Sequence, residues 1–235
     1  MLLRNTKTIT EQPVFVCIYG ASGVGKTSCV KTLDGKALVL NTESGMKVLE
    51  GTEIDYISIA EDDKGNFLPY DKRFDRLKEF LEYVQRDAVK AKYKYIFIDS
   101  LSECSQLIEK ACAAKYEGFK MWGEYKDSMI SFLKFFRDMR HYHVVFTALE
   151  DRRDEDNVSF YAPMVGGKSV KEQIVSLFDE VYRLVVLEGE RVFVCQPTPK
   201  TQAKTRNSKI GPTEKATLGD LLSRRTAPIA TKEKA

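Results

Sequence analysis

Residues Gly20-Ala21-Ser22-Gly23-Val24-Gly25-Lys26-Thr27 are spaced to hold a polyphosphate. The pattern is G-x-x-x-x-G-K-T, the phosphate-binding P-loop or Walker A sequence. Its glycines let the backbone wrap closely, so that successive N–H groups can point at phosphate oxygens. A helix beginning near Gly25 adds the positive end of its dipole. Lys26 would reach the β- and γ-phosphates and the Thr27 hydroxyl would hold Mg²⁺; Ser28 completes the cradle. The setting fits the motif. Val14-Phe15-Val16-Cys17-Ile18 reads as a buried strand before the loop, and Ser28 to Leu33 can continue a helix after it.

Two carboxylates extend the chemistry. Asp99 follows the apolar run Tyr95-Ile96-Phe97-Ile98, which marks the end of a buried strand, and is placed to hold Mg²⁺ through water. Glu43 follows a second apolar strand, Ala37-Leu38-Val39-Leu40, and is the candidate to take a proton from water, because Ser100 stands directly after Asp99. Lys204-Thr205-Arg206 is the third element: residues two apart in an extended segment point the same way, so both cations can face one target. A γ-phosphate offered there by another subunit would make them trans-acting fingers; the alternative is a solvated basic patch.

These residues need a sheet that carries them at one edge. Ile54 to Ile59 reads as a third strand, Val144 to Thr147 as another, and residues 60–73 as a loop. Helical spacing recurs at Phe74, Leu77, Leu81, Val84 and Ala88, around Leu107 to Ala111, and over about 125–140. Residues 150–157 read as a highly charged loop, Ser159 to Val165 as a strand broken by Gly166-Gly167, and Val170 to Phe178 as a helix. Val181 to Leu187 and Arg191 to Cys195 read as an antiparallel pair. The pattern implies an α/β fold: a mostly parallel twisted sheet flanked by helices, with an antiparallel edge extension. Ligands of such sheets lie beyond the carboxyl ends of the strands, where the loop, Glu43, Asp99 and Thr147 all fall.

The chain has 235 residues, enough for one α/β core. It is expected to divide into a polar lead-in over 1–12, one α/β domain carrying the phosphate loop over 13–212 and a basic, partly disordered tail over 213–235. No apolar run approaches the roughly 20 residues of a membrane span. The amino terminus lacks the apolar core of a secretion signal, so a cytoplasmic location is expected. Five scattered cysteines without a C-x-x-C pair fit reduced thiols, and His141-x-His143 has no acid or cysteine cluster to complete a metal site. Net charge is +3, but from Lys200 onward nine Lys/Arg stand against three Asp/Glu. That segment can meet nucleic acid or phosphate, or be a solvated tail.

At Gly20–Thr27, Val39-Leu40-Asn41-Thr42-Glu43 and Ile96-Phe97-Ile98-Asp99-Ser100 the chain resembles the RecA-like P-loop ATPases. The resemblance implies that fold, ATP and Mg²⁺ as ligands, and a catalytic role for Lys26 and for Glu43. Lys204–Asn207 is similar to the paired trans Lys and Arg of RecA-fold ring helicases, which implies a homo-oligomer when active. More narrowly, Phe146-Thr147-Ala148-Leu149-Glu150 and Gly166-Gly167-Lys168 suit the small phage-encoded RecA-core nucleotide-binding proteins, some of which are single-strand annealing recombinases. That likeness implies action on single-stranded DNA in the host cytoplasm, with a single-strand binding protein as a further partner. Phe160, Tyr161, Lys168, Lys171 and the carboxy-terminal cations are the residues that could meet the strand. Recombinases carry a Gln after the fourth core strand; here Leu149 and Glu150 stand there. A helicase core or loader, a small-molecule kinase and a nucleotide-switched adaptor share the loop. A GTPase is disfavoured because no N-K-x-D sequence is present.

Overall fold

Every residue of β1 (Phe15–Gly20), β2 (Ala37–Asn41) and β4 (Tyr95–Asp99) is buried, as strands covered on both faces require. The computed structural model describes residues 13–43, 45–155 and 158–226. With β3 (Asp55–Ser58), β5 (His143–Glu155), β6 (Val158–Pro163), β7 (Glu180–Leu187), β8 (Glu190–Val194) and β9 (Thr213–Lys215), these strands form one sheet. Its order is β3-β2-β4-β5-β1-β7-β8-β9, with β6 paired to β5. From β3 to β7 all neighbours run parallel; β7–β8, β8–β9 and β5–β6 are antiparallel. This is the expected mostly parallel sheet with an antiparallel edge.

The two-residue period of a strand sends alternate side chains to two cores. Phe15, Cys17 and Tyr19 of β1 join a core closed by α1 (Arg73–Tyr83), α2 (Asp87–Lys92), α3 (Leu101–Ala113), α4 (Gly118–Arg137) and α5 (Lys168–Leu177). Phe146 lies there edge-on to Phe15, Phe132, Phe136 and Phe178. Val16 and Ile18 face the second core, closed by the 3-10 turns Thr27–Thr32 and Met46–Leu49 and by α6 (Leu218–Thr226).

Four expectations are corrected. The helix after the loop is a 3-10 turn, Thr27–Thr32, ended by extended backbone at Leu33. The helix over Phe74 to Ala88 is two, α1 and α2, because Arg86 is extended. Helix α4 begins at Gly118, about two turns before the predicted 125; its first turns bury nothing large, so the apolar spacing starts only at Tyr125. The charged loop at 150–157 belongs to a hairpin, in which β5 runs on to Glu155 opposite β6. Its charges fit strand geometry, since Arg153 pairs with Asp151 and Arg152 with Asp154 on alternate faces. Within the tail expected over 213–235, β9 and α6 are ordered: Leu218, Leu221 and Leu222 are buried and complete the second core. The expectations for 1–12 and 227–235 lie outside the described residues.

The turn joining β7 to β8 has Glu188 and Gly189 both at positive φ, 50° and 83°, which matches a two-residue hairpin turn twisted like its strands. That hairpin delivers Arg191 to the site described next.

Candidate nucleotide-binding site

The loop Gly20–Thr27 leaves β1 between β5 and β7. Two glycines are fixed by geometry. A Cβ at Gly20 would sit 2.5 Å from the Leu184 carbonyl oxygen, and Gly25 has φ +106°, where a Cβ would also lie 2.8 Å from Arg191 Nε. Lys26 is 9% exposed and folds back over the loop, where its Nζ donates to Gly20 O at 3.0 Å and Ala21 O at 2.8 Å. Burial lowers its pKa, while Asp99, Glu43 and Glu150 oppose that shift. It forms no ion pair among the described residues. A desolvated ammonium satisfied only by carbonyls, beside a glycine loop, fits an incoming anionic phosphate chain.

The carboxylate side is built by strand ends in register. Asp99 is 4% exposed at the tip of β4. Its Oδ2 accepts from Thr27 Oγ1 at 2.7 Å, and its Oδ1 accepts from Thr147 Oγ1 of β5. Hard oxygen donors of this kind, one carboxylate with hydroxyls, suit Mg²⁺, which keeps several waters and shares phosphate oxygens. Among the described residues no group of three or more His, Cys, Asp or Glu forms a separate metal cluster. His143 instead accepts from Val14 N at 3.2 Å and stacks on Tyr95.

Glu43 is carried to the same edge by Thr42. The Thr42 N–H donates to Asp99 O at 2.8 Å, its hydroxyl donates to Asp99 O at 2.9 Å, and that hydroxyl accepts from Ser100 N at 2.7 Å. The tips of β2 and β4 are thereby clamped. Ser100 caps α3, accepting from Glu103 N at 3.3 Å in a Ser-x-x-Glu arrangement, and its hydroxyl donates to Glu43 Oε1. Glu43 is exposed, yet partial desolvation by its neighbours raises its pKa; the Ser100 hydrogen bond opposes the rise, and Asp99 adds to it. A carboxylate with a raised pKa, held beside Lys26 and Asp99, can accept a proton from water.

The structure therefore brings Lys26, Thr27, Asp99 and Glu43 together, with Ser28 following in the turn. It places Lys204 and Arg206 elsewhere. Val181 pairs with Lys204 near the start of β7, the sheet end opposite the loop. Lys204 Nζ donates to Val175 O, Ser176 O and Phe178 O, closing the carboxyl end of α5. Arg206 pairs with Asp179 at 2.8 Å and is 54% exposed. Neither reaches the loop of its own chain.

Sequence reasoning missed three contributors. Thr42 lay in the stretch leading to Glu43 but was assigned no role of its own. Arg191 Nε donates to Val24 O at 2.9 Å, a contact across 167 residues that no spacing shows. Glu150, directly after Leu149, was assigned no role; it pairs with Arg183 at 3.0 Å, and Arg183 lies 3.4 Å over the Tyr161 ring.

Among the described residues no helix is long and apolar enough to cross a membrane. No curated protein matches the chain. Among solved structures, the assembled ATPase EscN from the type III secretion system of enteropathogenic E. coli is similar at 15% identity, with a TM-score of 0.44. The likeness covers 74% of this chain and 43% of that one, so this chain spans less than half of its length. The family described as AAA domain matches residues 12–207, a span that holds the loop, Glu43, Asp99 and the parallel sheet. By that match the chain belongs to the AAA domain family and carries a P-loop ATPase domain of the AAA type.

Proposed function

We propose that this chain binds and hydrolyses Mg²⁺-ATP in a RecA-like manner and acts on single-stranded DNA in recombination or annealing. The observation that carries the reading is the meeting of Lys26, Thr27, Asp99 and Glu43 beyond the carboxyl ends of β1, β2 and β4. The amides of Gly20–Ser28 and the Lys26 ammonium would hold the phosphates. Thr27 and Asp99 would hold Mg²⁺, which neutralises phosphate charge and orients the phosphoryl oxygens. Glu43 accepts a proton from water, and Ser100 fixes the direction of its carboxyl.

Arg206 and Lys204 lie at the sheet end away from the loop, so any contact they make with a nucleotide involves a second copy. In this reading Arg206 is the trans cation and Lys204 fixes the strand beside it. DNA contact draws support from a corner where α4 meets α5. Phe119 is 98% exposed, Trp122 is 44% exposed, Lys168 is exposed, and the Trp122 ring packs beside Gly167. Aromatic faces beside a cation are what sequence-tolerant strand binding uses.

The test is the ATP hydrolysis rate against protein concentration, with and without a single-stranded oligonucleotide. The reading expects a rate per subunit that rises with concentration, stimulation by the oligonucleotide, and loss of turnover in Lys26→Ala. Trp122 is the only tryptophan of the chain, so its fluorescence reports strand binding directly. Absence of hydrolysis under every condition overturns the enzymatic reading. Hydrolysis indifferent to DNA, with no fluorescence change, overturns the DNA part.

A further inference from the structure

We propose that the cleft between the phosphate loop and the β8–β9 edge holds the ribose and base of the nucleotide, with Arg191 of the same chain as their positioning residue. The inference rests on the reading that a nucleoside triphosphate occupies the loop.

The direction follows from strand order. β1 has β5 on one side and β7 on the other. All the groups suited to the metal end lie on the β5 side: Thr147 on β5, Asp99 on β4 and Glu43 after β2. The terminal phosphates travel with the metal, so the nucleoside must leave toward β7 and its antiparallel extension.

A cleft of 290 Å³ lies there, walled by Gly25, Ser28, Cys29 and Thr32 on the loop side and by Glu190, Arg191, Lys215 and Ala216 on the β8–β9 side. Small-molecule pockets run from about 300 Å³ upward, so the space suits a nucleoside and is small for a whole nucleotide. A larger cavity, 650 Å³ beside Asn41, Met46, Tyr56 and Phe67, lies at the β2–β3 edge on the metal side and so cannot take the nucleoside end.

The lining groups are chemically ready. Thr32 Oγ1 donates to Cys29 O and accepts from Leu218 N, and Cys29 Sγ donates to Gly25 O, so these two serve the fold. Arg191 is exposed and anchored by Nε to Val24 O, which leaves its terminal nitrogens without a partner among the described residues. Neither Arg191 nor Lys215 forms an ion pair there. An anchored, planar guanidinium stacks on a base and donates to ribose or phosphate oxygens. The guanidinium packs directly on the loop: a Cβ built at Gly25 would lie 2.8 Å from Arg191 Nε.

The experiment is calorimetric binding of Mg²⁺-ATP and of Mg²⁺-tripolyphosphate, which has the phosphates and no nucleoside. Wild type, Arg191→Ala and Ala216→Phe are compared; the second variant fills the cleft from its β9 side. Wild type should bind both ligands, ATP more tightly. Both variants should bind ATP about tenfold more weakly, the low end for loss of one base-stacking contact, and hold tripolyphosphate within about twofold. Retained tripolyphosphate binding shows that the loop is folded. ATP affinity unchanged in both variants, or both ligands weakened by the same factor, overturns the inference while leaving the loop reading intact. A wild-type chain that binds neither ligand removes the loop reading itself, and this inference with it.

Discussion

Replacing Lys204 by methionine keeps a long unbranched side chain and deletes an ammonium that donates to three carbonyls. These are Val175 O at 3.3 Å, Ser176 O at 3.2 Å and Phe178 O at 2.6 Å, the last on a fully buried residue. Helix α5 has no basic residue in its own last turn, so Lys204 is the cation at its carboxyl end. Charge-assisted hydrogen bonds contribute about 1.5–3 kcal/mol net, and a cation at a helix carboxyl terminus about 0.3–1 kcal/mol. Burial already holds this ammonium below the ordinary lysine range, and Arg206 pushes the same way, so the lower part of the sum applies. A loss of about 2 kcal/mol lowers the melting temperature of a chain this size by about 4–8 °C. Arg206→Ala removes only a half-exposed pair with Asp179, worth about 0.2–1 kcal/mol. Thermal and urea unfolding followed by circular dichroism, without nucleotide and at high dilution, measure both variants. A Lys204→Met chain that melts with wild type would show that the three carbonyl contacts do not hold the fold, and would refute this reasoning.

Four further outcomes are expected. Thr147→Val deletes the fully buried hydroxyl that donates to Asp99 and should cost about 1.5–3 kcal/mol in urea unfolding, whereas Thr147→Ser should recover most of it. Equal midpoints for Val and wild type would contradict this. Leu221→Ala, at a residue 1% exposed in the second core, should cost about 2–5 kcal/mol; a loss under about 0.5 kcal/mol would mean that α6 is not part of the core. All five cysteines are buried, and burial pushes the Cys29 and Cys195 thiols up to about 12. Native protein at neutral pH should resist a thiol reagent that titrates all five in denaturant, and rapid native labelling of either would count against their burial. Chelation of Mg²⁺ should weaken ATP binding and leave the melting temperature of nucleotide-free protein unchanged; a shift in that temperature would point to a structural metal.

Much of this site is local in sequence and so could be read from it. The loop spans eight residues, and the apolar runs ending at Glu43 and Asp99 mark strand tips because parallel strands are buried on both faces. What was hidden is long-range or masked by charge. Arg191 meets Val24 only because β8 folds back along β7, a pairing that periodicity cannot report. The β5 arm of the β5–β6 hairpin carries charges that satisfy one another along the same strand, Arg153 with Asp151 and Arg152 with Asp154, so it looked like a loop. Helix α6 is short and lies in a basic stretch; its Leu218, Leu221 and Leu222 are too few to show a period. Lys204 and Arg206 stand two apart as expected, but the carbonyls and the carboxylate that they meet come from α5 and the start of β7, which spacing alone could not reveal.

The central claim is that a triphosphate lies on the loop with its metal held between Thr27 and Asp99. Diffraction from crystals grown with Mn²⁺ and a non-hydrolysable ATP analogue tests it most directly. The account predicts one anomalous peak within coordination distance of Thr27 Oγ1 and one water away from Asp99, with the phosphates against the amides of Gly23–Ser28. A peak elsewhere, or a nucleotide ordered away from Lys26, would contradict it.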